Sequence, residues 1–157
     1  MIPRIGLGYD VHVLASEYDF WLGGIKIDHC KGCIAHSDGD TLIHALCDAL
    51  LGAAALGDIG VHFPDTSGKY KGIDSKILLK KVVDLIYDKG YKIGNVDITV
   101  ALQKPKIKDR ILEMREGLSA IMNITVENVS IKATTTEKLG FVGREEGISV
   151  QAIALIY

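Results

Sequence analysis

Between His36 and Gly60 the chain reads HSDGDTLIHALCDALLGAAALGDIG, and no other stretch concentrates as much polar chemistry. His36, Asp40, His44 and Asp48 fall at intervals of four residues, so on a helix regular from about Asp40 the last three share one face. A helix face that only had to meet water would carry Lys and Glu there. This one sets a histidine between carboxylates one turn before and one turn after, which is how an outer acceptor holds a metal-bound imidazole in one tautomer. Asp40 and Asp48 are the candidate acceptors. The plainer alternative is a helix capped by Asp38 or Asp40, with His44 half-buried in the core. Upstream, RIGLGYDVHVL places Asp10 and His12 on the same side of a strand. A carboxylate and an imidazole from a strand, joined by an imidazole from a helix, make a three-donor set of the kind catalytic zinc uses, with a fourth position open. The D-x-H pair alone is a weak signal.

Two further clusters have chemical potential. Lys104, Lys106 and Lys108 flank Pro105 just before a helix, so backbone amides and positive charge meet at its start, suited to a phosphate or the edge of a base. Solvated surface lysines are the alternative. Thr134, Thr135, Thr136 and Glu137 follow a strand, where hydroxyls and amides suit an anion and the carboxylate suits a hard cation such as magnesium. Cys30 and Cys33 form one C-x-x-C, but only Cys47 remains to join them. A zinc ribbon needs a second pair, so small residues in a turn around Gly32 is the simpler reading.

These residues must be positioned by regular elements. A strand is expected over residues 4–14, and a hairpin over Tyr18–Asp28 turning at Gly23-Gly24. Leu42, Ile43, Leu46, Ala49, Leu50 and Ala53 give the first helix its apolar stripe, with Gly57 as a stop. Gly57 to Lys71 lacks any period and reads as a surface loop. Asp74 or Ser75 caps a helix to about Lys89, which Gly90 ends. Residues 95–103 alternate as a strand, about 108–122 form a helix, Asn128–Thr134 a strand, and Ile148–Ile156 a last strand apolar on both faces. One of those faces calls for cover by another subunit. The order implies an α+β fold: a two-layer sandwich with a mixed or antiparallel four-stranded sheet, an additional hairpin, and helices on one face.

With 157 residues and 48% hydrophobic content, one domain over 1–157 is expected. A net charge of -2 argues against non-specific nucleic-acid binding. No apolar run approaches the ~20 residues of a membrane span, and residues 1–14 lack a secretory pattern. With an odd cysteine count, these features point to a cytoplasmic protein, or to a mature chain whose targeting segment is absent here. Neither a P-loop nor a dinucleotide-binding glycine pattern is present.

Four motifs taken together, GYDVHVL at 8–14, AHSDGDTLIHALCDALLGAAALGDIGVHFPDT at 35–66, GNVDITVALQKPKI at 94–107 and VSIKATTTEKLGFVGREEGI at 129–148, resemble the 2-C-methyl-D-erythritol 2,4-cyclodiphosphate synthase family over essentially the whole chain. The resemblance implies a homotrimer with active sites between subunits, one zinc and one magnesium or manganese per site, and a cyclisation that releases CMP in non-mevalonate isoprenoid synthesis. Carried over by position, Asp10, His12 and His44 match zinc ligands and Glu137 the second metal's ligand. His36 and Ser37 match a substrate-contacting loop, and His36 and Thr135 match transition-state stabilisers. Asp58, Ile59, Gly60, Phe63, Pro64 and Asp65 match the methylerythritol phosphate pocket. Leu102, Gln103, Lys104, Pro105, Lys106, Ile107 and Lys108 match the cytidine pocket, although Lys104 and Lys108 depart from the smaller or apolar residues of many relatives. Thr134 and Thr135, with Thr136 beside them, match diphosphate contacts. Phe141 and Arg144 match further contacts, Arg144 also falling where the family's trimer axis carries a basic residue beside a cavity able to take an isoprenoid diphosphate. Two other classes fit parts of the pattern: a zinc-dependent phosphoester hydrolase, and a non-enzymatic trimeric sensor of isoprenoid diphosphates.

Overall fold

Strand β1 (Arg4–Ser16) is longer than the periodicity predicts and organises the rest. The computed structural model describes residues 2–64, 68 and 71–157. On β1, Gly6, Gly8, Asp10, His12 and Leu14 turn toward the helices. The alternate residues Ile5, Leu7, Tyr9, Val11 and Val13 face outward and are exposed. The hairpin follows as β2 (Phe20–Leu22) and β3 (Ile25–Ile27). Gly23 and Gly24 both have positive φ, as a two-residue hairpin turn requires.

The main sheet has five strands where four were expected. Strand β4 (Lys31–Cys33), β1, β7 (Gly147–Ile156), β5 (Ile93–Ala101) and β6 (Val129–Thr134) lie in that order. All pairings are antiparallel except β5 with β6, so the sheet is mixed. The extra strand is the C-x-x-C segment, which zips Cys33 against Leu14. Three residues built around a glycine carry no alternation, so the segment reads as a turn.

Helix α1 (Thr41–Ala53) is buried on nearly every side, the pattern of an interior helix. It reaches β1 because β1 is bare there. A Cβ on Gly8 would stand 1.8 Å from the Ala45 carbonyl oxygen, and one on Gly6 would stand 2.0 Å from that of Ala49. Asp40 caps α1 through the Ile43 amide and accepts from the amides of Gly23 and Gly24 as well. One buried carboxylate thus locks the hairpin turn to the helix start. After the single turn α2 (Ile59–His62) comes α3 (Ser75–Asp88), capped by Asp74. Helix α4 (Ile111–Met122) follows a 3-10 turn over Lys108–Arg110, and a short α5 (Gly140–Gly143) precedes β7. One apolar cluster joins α1, α3, α4 and the hairpin to the covered face of the sheet. Ile148, Val150, Ala152 and Ala154 of β7 lie in it, while Ile153 points outward. The uncovered apolar face expected on β7 is present and continues across β1. Among the described residues, no helix is long and apolar enough to cross a membrane.

Candidate metal centre and active site

Where α1 crosses β1, Asp10 and His12 meet His44. Asp10 Oδ2 lies 2.9 Å from His12 Nε2 and 3.2 Å from His44 Nδ1, and the two ring nitrogens are 3.2 Å apart. Two donors on a tetrahedral ion with bonds of about 2.0–2.1 Å stand about 3.3 Å apart. The triangle therefore fits a small four-coordinate cation, and among the described residues it is the one such His/Cys/Asp/Glu group. Burial works against the charge on Asp10, but its imidazole neighbours, the His12 hydrogen bond first among them, outweigh it and bring its carboxyl down to about 2. Burial likewise opposes a charged His12, yet Asp10 raises its proton affinity above the ordinary imidazole value. Proton and metal therefore compete for His12 beside the same carboxylate.

The triangle opens into a cavity of about 350 Å³ lined by Ala35, His36, Ser37, Ile59, Gly60, Phe63, Ile73 and Leu78. His36 is exposed at its rim. Asp58 is the N-cap of α2 and accepts from Val61 N. That short helix sits within the segment read as loop, because a single capped turn leaves no periodic trace. Pro64 is exposed, and Asp65 lies outside the described residues.

The acidic residues flanking His44 follow the plainer of the two sequence readings, a helix cap at Asp40, and not the one that made them acceptors of the His44 ring. Asp40 holds three backbone amides, and Asp48 accepts from Ile59 N at 2.8 Å, anchoring α2. Neither is the partner of the His44 ring. The ring's other nitrogen, Nε2, meets Ser75 Oγ at 3.0 Å and Ser37 Oγ at 3.2 Å. Ser75 is in turn bonded to Asp38. Sequence reasoning saw Asp38 and Ser75 only as possible helix caps. Residues so far apart in the chain give no periodic signal of their meeting.

A second cavity, of about 200 Å³, is lined by Leu102, Gln103, Pro105, Lys106, Ile107 and Lys108 with Ala133, Thr134 and Thr135. Lys104 points away and pairs with Glu145 at 3.2 Å. Glu137 is exposed in a left-handed conformation, its amide on Thr135 Oγ1; Thr136 Oγ1 donates to Leu139 O. Arg144 is exposed and makes a two-pronged ion pair with Glu146, and Phe141 is partly exposed beside Gly147. Neither lines the two cavities. Across the sheet Val11 stands level with Ser149, then Ala101, then Thr134. Three strand spacings put the threonine cluster about 14 Å from the strand that bears Asp10 and His12.

Fold and site together define an α+β protein with a candidate metal centre between a strand and an interior helix, and a separate cavity of about 200 Å³ farther along the sheet. The chain belongs to the YgbB family, whose model matches residues 3–157. It is 60% identical over 153 residues to the 2-C-methyl-D-erythritol 2,4-cyclodiphosphate synthase of Bacteroides thetaiotaomicron, covering 98% of this chain and 96% of that protein. It is 61% identical to the enzyme of the same name from Phocaeicola vulgatus, over 98% and 96%. Among solved structures, IspF of Plasmodium falciparum in complex with CDP superposes with a TM-score of 0.87 at 39% identity, covering 98% of this chain and 95% of that one. The bifunctional IspDF of Campylobacter jejuni gives 0.95 at 42% identity over 99% of this chain, which spans only 42% of that longer protein. The family resemblance carried by the four motifs is borne out.

Proposed function

We propose that the protein converts 4-diphosphocytidyl-2-C-methyl-D-erythritol 2-phosphate to 2-C-methyl-D-erythritol 2,4-cyclodiphosphate and CMP, a lyase-type cyclisation in isoprenoid synthesis, within one domain spanning 1–157. The observation that carries this is the Asp10, His12, His44 triangle, with sides of 2.9, 3.2 and 3.2 Å, opening into a cavity. The nucleophile in this reaction is a phosphate oxygen that is already anionic, so no strong base is required. What opposes closure is repulsion between two anionic groups and the entropy of forming the ring.

Asp10, His12 and His44 would hold zinc and Glu137 magnesium or manganese. Bound there, the ions supply Lewis acidity and charge neutralisation to the diphosphate. The chain's own groups do the positioning. Ser37, Ile59, Gly60 and Phe63 line the cavity that would take the methylerythritol phosphate end, and Asp58 and Asp65 are assigned to it from the family motif alone. Leu102, Gln103 and residues 105–108 take the cytosine, and Thr134 and Thr135, which line the same cavity, face the diphosphate, with Thr136 beside them. His36 and Thr135 hold the attacking and attacked phosphates in line.

A diphosphate is far too short to touch both the metal centre and a threonine cluster about 14 Å away. The two halves of a site must therefore come from neighbouring copies, in a homotrimer closed over the uncovered apolar face of β1 and β7. Incubating the protein with the cytidylylated substrate and both metals should give a cyclic diphosphate by phosphorus NMR. A linear phosphate carrying water-derived oxygen would instead make it a hydrolase, and an unchanged substrate would refute the proposal. His44→Ala should lose bound zinc and turnover with the fold intact.

A further inference from the structure

Among the described residues, the polar group at the metal centre that the proposed reaction leaves without a task is Ser75. It is the first residue of α3 and fully buried. Its amide donates to Asp38 Oδ2 at 2.8 Å and its hydroxyl donates to Asp38 Oδ1. A serine has one hydroxyl hydrogen, and a carboxylate can only accept. With that hydrogen engaged, Ser75 Oγ offers only lone pairs to His44 Nε2, 3.0 Å away. The imidazole must therefore donate from Nε2, which in a neutral ring leaves Nδ1 bare. Nδ1 is the atom facing Asp10 Oδ2 and His12 Nε2.

We infer that Asp38 and Ser75 are positioning residues that hold His44 as its Nε2-protonated tautomer and so present Nδ1 as a ready metal donor. Neither touches the ion or the substrate; they act through the ring. Ser37 Oγ also lies 3.2 Å from Nε2, but Asp38 does not hold it, and it accepts from Gly39 N. If Ser37 donated to Nε2, two lone pairs would face each other across the Ser75 contact, whereas a bare Nδ1 can be met by a proton on His12 Nε2, which lies within reach of both it and Asp10 Oδ2. Ser37 therefore follows the tautomer and does not set it. The device is the carboxylate-to-histidine relay of metal sites, here with a serine inserted and the carboxylate drawn from the loop before α1.

The inference rests on the reading of Asp10, His12 and His44 as metal ligands, and its test separates the two. Long-range proton–nitrogen correlation of zinc-free, nitrogen-15 histidine-labelled protein near pH ~8, above the ordinary imidazole range, should place the His44 proton on Nε2. An amide at position 38 can turn its NH2 toward Ser75 Oγ, releasing the serine proton toward His44. Asp38→Asn should therefore move the ring proton to Nδ1, and Ser75→Ala should leave both tautomers populated. Each should weaken zinc binding about 10–100-fold by chelator competition, while Ser37→Ala keeps the wild-type tautomer. Should Ser75→Ala fail to fold, Asp38→Asn and the wild-type spectrum still decide. A proton on Nδ1 in the wild-type protein, with zinc taken up normally, overturns this inference alone. Absence of zinc uptake by the wild-type protein overturns the metal reading and this inference with it.

Discussion

Gly8→Ala should damage the metal centre without touching a ligand. The added Cβ would fall 1.8 Å from the Ala45 carbonyl oxygen and 2.7 Å from the Ala49 amide nitrogen. Both are backbone atoms of a hydrogen-bonded helix, so no side chain can swing aside. Restoring an ordinary contact of about 3.4 Å requires α1 and β1 to separate by about 1.6 Å at this point. His44 is the helix neighbour of Ala45 and would travel with it. The 3.2 Å separation between His44 Nδ1 and Asp10 Oδ2 would then open well beyond what a shared ion tolerates, since metal–donor distances are held within about 0.2 Å. Overpacking against backbone belongs at the upper end of the usual range, about 3 kcal/mol of stability. Zinc affinity should fall by more than the ~100-fold that an outer partner is worth. Gly52→Ala, on the same helix with nothing within 4 Å of its Cβ, is the control and should stabilise by about 0.5–1 kcal/mol. Urea unfolding with and without zinc, plus chelator competition, measures both effects. Wild-type zinc affinity in a folded Gly8→Ala protein would refute the claim that this backbone contact sets the site.

Asp40→Ala removes the acceptor of three buried or half-buried amides and should cost roughly 3 kcal/mol or more of stability; a shift in the urea midpoint no larger than that of a surface mutant would contradict the locking role. Metal-free stability should also depend on pH through the Asp10–His12 pair. The Asp10 contribution is present above about pH 3.8 and fades as pH falls toward about 2. The His12 contribution is present below about 6.5 and fades as pH rises through its raised folded value. Urea midpoints measured in chelator should peak between those limits, and Asp10→Asn should flatten the profile; identical profiles would count against the pair. On the outer face, Leu7→Glu should convert the proposed homotrimer to smaller species by light scattering while each chain still binds zinc, and an assembly unchanged in mass would move the proposed interface elsewhere.

The parts of the site legible in the sequence are those whose partners the periodicity brings into register. Asp10 and His12 share a strand face by a period of two, and His44 follows the helical stripe of α1. The Gly23-Gly24 turn, the Asp74 cap and the end of β6 at Thr134 also followed local rules. Elsewhere local rules misled. The four-residue spacing that put Asp40 and Asp48 beside His44 ignored demand from the backbone. A helix N-terminus and a glycine turn needed an acceptor, and Asp40 met both. Strand β4 and helix α2 are too short to show a period at all.

What no window of sequence could give is the distance across the sheet. Chain order brings the metal-binding strand first and the threonine cluster near the end, yet β7 inserts between β1 and β5 and fixes the separation at three strand spacings. That separation and the apolar residues left bare on β1 concern the same problem. A lone chain leaves the β1 face uncovered, and on the proposed reading a neighbouring copy that covers it also completes the site. The glycines at 6 and 8 belong to this arrangement too. By letting α1 lie directly on β1 they commit one face of the strand to the metal, which leaves its other face for the neighbour.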